Sequence, residues 1–466
     1  MTGELPPGWS RTSLARLGVW GSGGTPSRQD PEAFGEGIPW LKIGDLSDGP
    51  VRAFEESITA KGLANSSAKL LEPGTLLVAM YGSIGKLGIT TFRCATNQAI
   101  AFCKLHEGID LRYVFYALLN ERQRLLDLGQ GGTQLNISQT LLRAHEVNLA
   151  PAREQQRIVS RIEELFSEID EGERALERVG RLVERYRQSV LKAAVTGELT
   201  RGWRAQHGGS NDSASDDLPP GWRRVAVEEL CAVQTGATPK RGEARYYENG
   251  TIPWVTSGAV NARRITEANE FITRSAIDET NAKVFPAGTL IVAMYGEGKT
   301  RGKVSELGIA AATNQACAAL LCADLEPGLK GYLRLFFEQH YDELRGQAAG
   351  GVQPNLNLSL IKQTVLPLPP QAETREICNQ VAVQLSQAEA LRLELSRRRS
   401  AATALRQSIL KAAFSGQLVP QDPRDEPASA LLARLAAEAS DAPATPRRRG
   451  RPVGRRSSQP NPAVAP

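Results

Sequence analysis

The sequence predicts an α+β chain in which two homologous globular domains alternate with two long helices that pack on each other. Three observations predict it: a set of short motifs that occurs twice in one order, two stretches of heptad-spaced apolar residues, and short strand-like segments with glycine turns in each half. The boundaries follow as a first domain over 1–150, a helix over 151–200, a linker over 201–217, a second domain over 218–369, a second helix over 370–418 and a tail over 419–466.

The motifs come first in the argument. LeuProProGlyTrp stands at 5–9 and 218–222, and GlySerGlyGlyThrPro at 21–26 answers GlnThrGlyAlaThrPro at 234–239. IleProTrp recurs at 38–40 and 252–254, ValAlaMetTyrGly at 78–82 and 292–296, and AlaThrAsnGlnAla at 95–99 and 312–316. GlyGlyThrGlnLeuAsn at 131–136 answers GlyGlyValGlnProAsn at 350–355. A period near half the chain is too long for a solenoid and describes a tandem duplication.

Each half then ends in a helical stretch. In the first, apolar or small residues stand at Ile158, Ile162, Leu165, Ile169, Gly172, Leu176, Val179, Val183, Tyr186 and Val190, at gaps of four and three. In the second, the seam reads Ile377, Val381, Gln384, Ala388, Leu391, Leu395, Arg398, Ala402, Leu405 and Ile409. One narrow apolar stripe on an otherwise charged helix requires a partner helix. Gly172 and Leu391 stand at equivalent places, where a small residue receives a large one, and Arg398 is expected to snorkel or to pair with a glutamate of the first helix. Gly197 and Gly416 close the two helices.

Within each globular half, IleProTrp leads into a short strand, LeuLysIle or ValThrSer, and a turn at Gly44 or Gly258. GlyThrLeuLeuValAlaMetTyrGly is a buried strand stopped by glycine, and AsnGlnAla opens another. Leu111–Leu128 and Leu329–Leu344 read as helices. Short strands with glycine turns beside one or two helices indicate a mixed or antiparallel sheet.

Composition is that of an ordinary globular chain, with 466 residues, 41% hydrophobic, and a net charge of +5. No membrane-length apolar run or signal pattern occurs, so a cytoplasmic protein is expected. Six cysteines form no CxxC pair, and His106, His145, His207 and His340 pair with no other ligand by spacing. GlyGluGlyLysThr at 296–300 is like the end of a phosphate-binding loop, but Ala293 stands where that loop needs glycine. Asp45 faces Ala259 across the repeat, and Glu297 has no carboxylate counterpart, so no acid–base pair is shared by both halves. No catalytic or metal set is therefore expected, and the shared basic and small polar loops point to recognition.

These motifs, with Pro-x-x-Glu-Gln-x-x-Ile at 151–158 before the long helix, resemble the specificity subunit of type I restriction–modification enzymes. The resemblance covers nearly the whole chain and rests on motif order. It implies two target-recognition domains, each reading half of a split double-stranded DNA target. It implies that the long helices form an antiparallel coiled coil that sets the half-site spacing. Modification (methyltransferase) and restriction (motor-nuclease) subunits are the implied partners, with S-adenosylmethionine, ATP and magnesium used on them and none on this chain.

Small polar and cationic residues on glycine loops suit phosphate and base-edge contacts. The DNA-binding candidates are Thr25, Ser27, Arg28, Lys42, Tyr81, Ser83 and Lys86, and in the second half Thr238, Lys240, Arg241, Thr256, Tyr295, Lys299, Arg301 and Lys303. Tyr81 and Tyr295 read equally as core residues. A helix is expected over Ala428–Ala437, then a disordered basic tail whose Arg449 and Arg451 resemble a minor-groove hook or act as plain solvated charge. Two other readings stay open: a DNA-modifying enzyme on one chain, and a protein-interaction scaffold.

Overall fold

The heptad stretches form two continuous helices of 44 residues, Ala152–Val195 and Gln371–Phe414, each about 66 Å long at 1.5 Å per residue. The computed structural model describes residues 4–129, 135–207, 218–296, 299–322, 324–349 and 355–441. The chain divides into two units, one of residues up to Gly172 together with those from Ser400 onward, the other Glu173–Arg399.

In the first unit a five-stranded sheet runs in the order Gly18–Ser22, Ile100–Leu105, Leu76–Ala79, Leu87–Thr90, Gly49–Val51. A three-stranded sheet runs Glu56–Ile58, Phe34–Leu41, Ala95–Thr96, and Ser10–Ser13 pairs with Glu146–Leu149. Most pairs are antiparallel, but Gly49–Val51 runs parallel to Leu87–Thr90, and Phe34–Leu41 parallel to Ala95–Thr96. The second unit repeats this order and both parallel pairings: Ala232–Thr235, Cys317–Leu321, Leu290–Ala293, Val304–Leu307, Arg264–Ile265 form its five-stranded sheet. Its smaller sheet gains a strand, Val284–Phe285, where the first unit has an isolated bridge between Leu71 and Cys94.

The sheets differ from expectation in one respect. IleProTrp lies inside its strand, and Lys42 or Thr256 then caps a short 3-10 turn, so LeuLysIle and ValThrSer are not the strands themselves. The expected helices over 111–128 and 329–344 are each broken in two, at Glu121 and at His340.

Each unit packs its sheet and helix against parts of both long helices. In the first, Ile158, Val159 and Ile162 share a core with Ile409, Leu410, Ala413 and Phe414. Each of the larger side chains, valine, isoleucine, leucine or phenylalanine, contributes about 1.5–3 kcal/mol on burial. Asn148 Nδ2 donates to the Phe414 carbonyl at 3.2 Å, and Arg406 pairs with Asp170 at 2.5 Å while lying over Phe166. Numbers rise on one side as they fall on the other, so the pairing is antiparallel. In the second unit Val190, Leu191 and Ala194 share a core with Ile377 and Val381, and Tyr186 donates to Gln384 at 3.2 Å, with the same direction.

The seam is correct in period and partly wrong in phase. Ile377, Val381, Ala388, Leu395 and Ile409 are buried, but Leu391 is 44% exposed and Leu405 51%. Two heptad-related residues fix the period of a stripe without fixing which neighbour completes it, and Arg406, not Leu405, lies against Phe166. Gly172 faces open space, so it receives no side chain. Arg398 pairs with Glu394 of its own helix, one turn away, at 2.9 Å.

The helix ends are fixed by the recurring motifs. Gly197 and Gly416 adopt φ of +77° and +75°, and the Gln417 N–H donates to the Ala412 carbonyl at 2.8 Å, a Schellman closure. Glu154 and Glu373, the glutamates of the two first turns, are buried, where the helix dipole favours negative charge. Residues 201–206, assigned to the linker, instead form a short helix in which Trp203 stacks on His207. Ala428–Asp441 is helical, with Leu431 and Leu432 in the first unit's core. Most of the linker, Glu297, and the tail with Arg449 and Arg451 lie outside the described residues.

Candidate nucleic-acid interface

In both units the ThrPro loop follows the first strand of the five-stranded sheet and crosses the IleProTrp strand. The tryptophan holds it there: Trp40 Nε1 donates to the Gly24 carbonyl at 3.0 Å, and Trp254 Nε1 to the Ala237 carbonyl at 3.2 Å. Thr25 donates its hydroxyl to Gln98 Oε1, and Thr238 donates to Gln315 Oε1 at 2.5 Å. Arg28 pairs with Glu56 at 2.8 Å and lies over Phe34 and Trp40. Arg241 pairs with Glu270 at 2.5 Å and lies over Tyr247 and Trp254. The carboxylates match in register, since Trp40 sits opposite Glu56 and Trp254 opposite Glu270. Each unit thus presents one constellation of Thr, Gln, Arg, Glu and Trp, with a guanidinium on an aromatic face.

The exposed tyrosines adjoin it. After a fully buried strand, Met80 N donates to the Ala99 carbonyl and Met294 N to the Ala316 carbonyl. This carries Tyr81 and Tyr295 out beside the glutamines, 40% and 37% exposed, so neither is core.

Around the shared set the units diverge. In the first, Lys42 pairs with both Glu55 and Glu56 at 2.9 Å. The two carboxylates, Glu56 foremost, raise the Lys42 ammonium to about 12. The Lys42 ammonium and then the Arg28 guanidinium hold the Glu56 carboxyl below its ordinary range. In the second unit Thr256 and Asn269 replace Lys42 and Glu55. Lys86 reaches the Ile43 carbonyl at 3.3 Å, which joins the strand-end turn to the Lys42 side. Ser83 lies exposed on that turn, and Ser27 accepts from the Gln29 N–H. Lys303 donates to Asn261 at 2.7 Å, next to the Thr256 turn.

Three candidates stand apart from the constellation. Lys240 points to Glu243 at 3.7 Å. The backbone carbonyls of Lys299 and Arg301 accept from Tyr341 and Arg345, so this segment is tied to the helix behind it. The reading from sequence missed Gln98, Gln315, Glu56 and Glu270. The glutamines were visible within the repeated AsnGlnAla, but that triplet was read only as the opening of a strand.

Among the described residues no group of three or more His, Cys, Asp or Glu is placed to hold a metal ion, and no helix is long and apolar enough to cross a membrane.

The family described as type I restriction modification DNA specificity domain matches residues 6–178 and again 219–397. The chain is 22% identical to the type I restriction enzyme EcoKI specificity subunit of Escherichia coli, with 94% of this chain and 96% of that one covered. To the MjaIX specificity subunit of Methanocaldococcus jannaschii it is 22% identical, over 65% of this chain and 70% of the other. Two solved structures share the fold at 19% identity. One, from a study of assembly and conformational transition of a type I R–M system, has a TM-score of 0.68 and covers 89% of this chain and 100% of its own. The other, the HsdS subunit of Thermoanaerobacter tengcongensis, has a TM-score of 0.51 and covers 89% and 99%.

Proposed function

The chain belongs to the type I restriction–modification DNA specificity family, and from that membership we propose that each of its two units reads one half of a bipartite DNA target on behalf of partner subunits. It is a DNA-recognition component without catalysis of its own. The observation that carries the two-half reading is the Thr–Gln–Arg–Glu–Trp constellation, present once in each unit in equivalent register. One recognition scaffold used twice, with unlike surroundings, suits two half-sites of unlike sequence.

In this reading the partners are modification subunits that methylate adenine and motor-nuclease subunits that restrict. S-adenosylmethionine, ATP and magnesium belong to them. The carboxylates at the interface described above are paired with Arg or Lys, a donor set unsuited to holding magnesium. The long helices set the half-site spacing, and the complex works in the cytoplasm. The candidate residues contact DNA as follows: Arg28 and Arg241 meet phosphates, while the segments that differ between units, with Lys42 and Lys86 among them, meet base edges. Opening the Arg28–Glu56 or Arg241–Glu270 pair for a phosphate loses little, because exposed ion pairs are worth only about 0–1 kcal/mol.

The test is to purify the full chain with its methyltransferase subunit and map methylated genomic sites. A split motif of two unlike halves is expected. Exchanging residues 218–369 for those of a relative should then change one half and leave the other and the spacer intact. A continuous motif, or methylation by this chain alone, would sink the reading.

A further inference from the structure

Asn97 and Asn314 turn their side chains back on their own loops, accepting from the Ala99 and Ala316 N–H groups at 3.1 and 3.2 Å. That asparagine turn leaves the middle residue, Gln98 or Gln315, pointing outward and exposed. An exposed glutamine ordinarily samples several rotamers, and fixing one costs entropy. Here Thr25 or Thr238 fixes it by donating to the carboxamide oxygen. The remaining capacity is the two N–H donors of the amino group and one lone pair of the oxygen. An exposed neutral hydrogen bond adds little to stability, so folding alone gives no reason for the same fixed glutamine in both units.

The pattern of likeness says what it meets. Two units that read unlike half-sites cannot discriminate between them with an identical residue in identical geometry. Discrimination falls to the differing set: Lys42 against Thr256, Asp45 against Ala259, and 83–86 against 297–303. A shared set suits what both half-sites have in common, and the sugar–phosphate backbone is common to every duplex. Base reading of adenine by glutamine needs both the amide oxygen and the amino group, and the threonine hydroxyl already takes one of that oxygen's two lone pairs. The neighbouring Arg28 or Arg241 places a cation beside the same loop.

We propose that Gln98 and Gln315 are sequence-independent DNA contacts, each donating its carboxamide N–H to a backbone phosphate oxygen, with Thr25 and Thr238 as the residues that position them. The proposal rests on the DNA-recognition reading above and assigns the division of labour within each interface.

The experiment uses the full chain with its methyltransferase subunit and two duplexes of equal length, one bearing the mapped target and one scrambled in both half-sites. Gln315→Ala is expected to weaken both duplexes by one factor, about three- to tenfold for a lost hydrogen bond, and to leave the methylated motif unchanged. Gln315→Lys should restore both affinities and steepen the salt dependence by roughly one released ion, a substitution that no base-reading glutamine would tolerate. Thr238→Val should reproduce part of the loss on both duplexes. A loss confined to the target duplex overturns the proposal, and so does no loss on either. A wild-type complex that fails to prefer the target is a separate result, and it overturns the recognition reading itself.

Discussion

Gly236→Ala is expected to displace the ThrPro loop of the second unit and abolish recognition of the half-site that unit reads. A Cβ on Gly236 would stand 1.8 Å from the Thr313 carbonyl oxygen and 2.4 Å from its hydroxyl. Thr313 lies in a strand paired with the IleProTrp strand, so its backbone cannot retreat. The loop must move instead. Thr238 then leaves Gln315, Trp254 loses its carbonyl acceptor, and Arg241 lifts from the ring. The cost should reach about 3 kcal/mol, the upper end for forcing atoms into a packed site. Gly23 predicts the same for the first unit, with the Thr96 carbonyl at 2.1 Å. Denaturant unfolding and DNA affinity check this together; an alanine variant with unchanged midpoint and affinity would refute it.

Glu373→Ala should destabilise the second unit by about 3–5 kcal/mol, the range for removing one partner of a buried ion pair. Three groups converge on this carboxylate. Arg204 pairs with it, Thr200 donates at 2.7 Å and the Trp222 indole at 2.9 Å. Its loss strands a nearly buried guanidinium and an indole N–H. It also unties the end of one long helix from the start of the other, because Arg204 further donates to the Gly197 carbonyl. The first unit has a weaker version. There Gln421 approaches Glu154 at 3.3 Å, and burial pushes the Glu154 carboxyl up. A raised folded value means the folded state holds the proton more readily than the unfolded chain. Glu154 therefore stabilises in acid and loses that contribution as pH rises through the carboxylate range. Glu154→Gln should be neutral or stabilising at neutral pH, where Glu373→Gln destabilises. Equal destabilisation by both would show that the two nodes are equivalent after all.

The long helices were legible because two-stranded packing imposes a period that no other structure shares. Their phase was less so. Ala388 and Leu395 are seven apart, and either Leu391 or Arg392 could complete the stripe; hydrophobicity favours the leucine, which is exposed. Arginine stems can lie across a seam, as Arg406 does over Phe166, and a pattern of apolar letters misses them. The strands were legible where buried on both faces, as in Leu76–Ala79 and Leu290–Ala293. At the interface the ThrPro loops stood out by repetition. Glu56 and Glu270 did not, because they reach the arginines through strand pairing and lie 28 or 29 residues away in sequence.

The two units also differ in how their chain is supplied. The second is one uninterrupted stretch, 173–399, whereas the first needs residues from both ends of the chain. Ile409, Leu410 and Phe414 complete its core, and the Ala428 N–H closes on the Gly8 carbonyl at 2.8 Å. During synthesis the second unit therefore has all its parts while the first still waits, its apolar surface at Ile158 and Ile162 uncovered. The entropy of closing so long a loop falls on the first unit alone. A chain ended at residue 399 should keep the second unit resistant to protease and leave the first susceptible. The residues beyond 399 are thus the ones that complete the domain synthesised first.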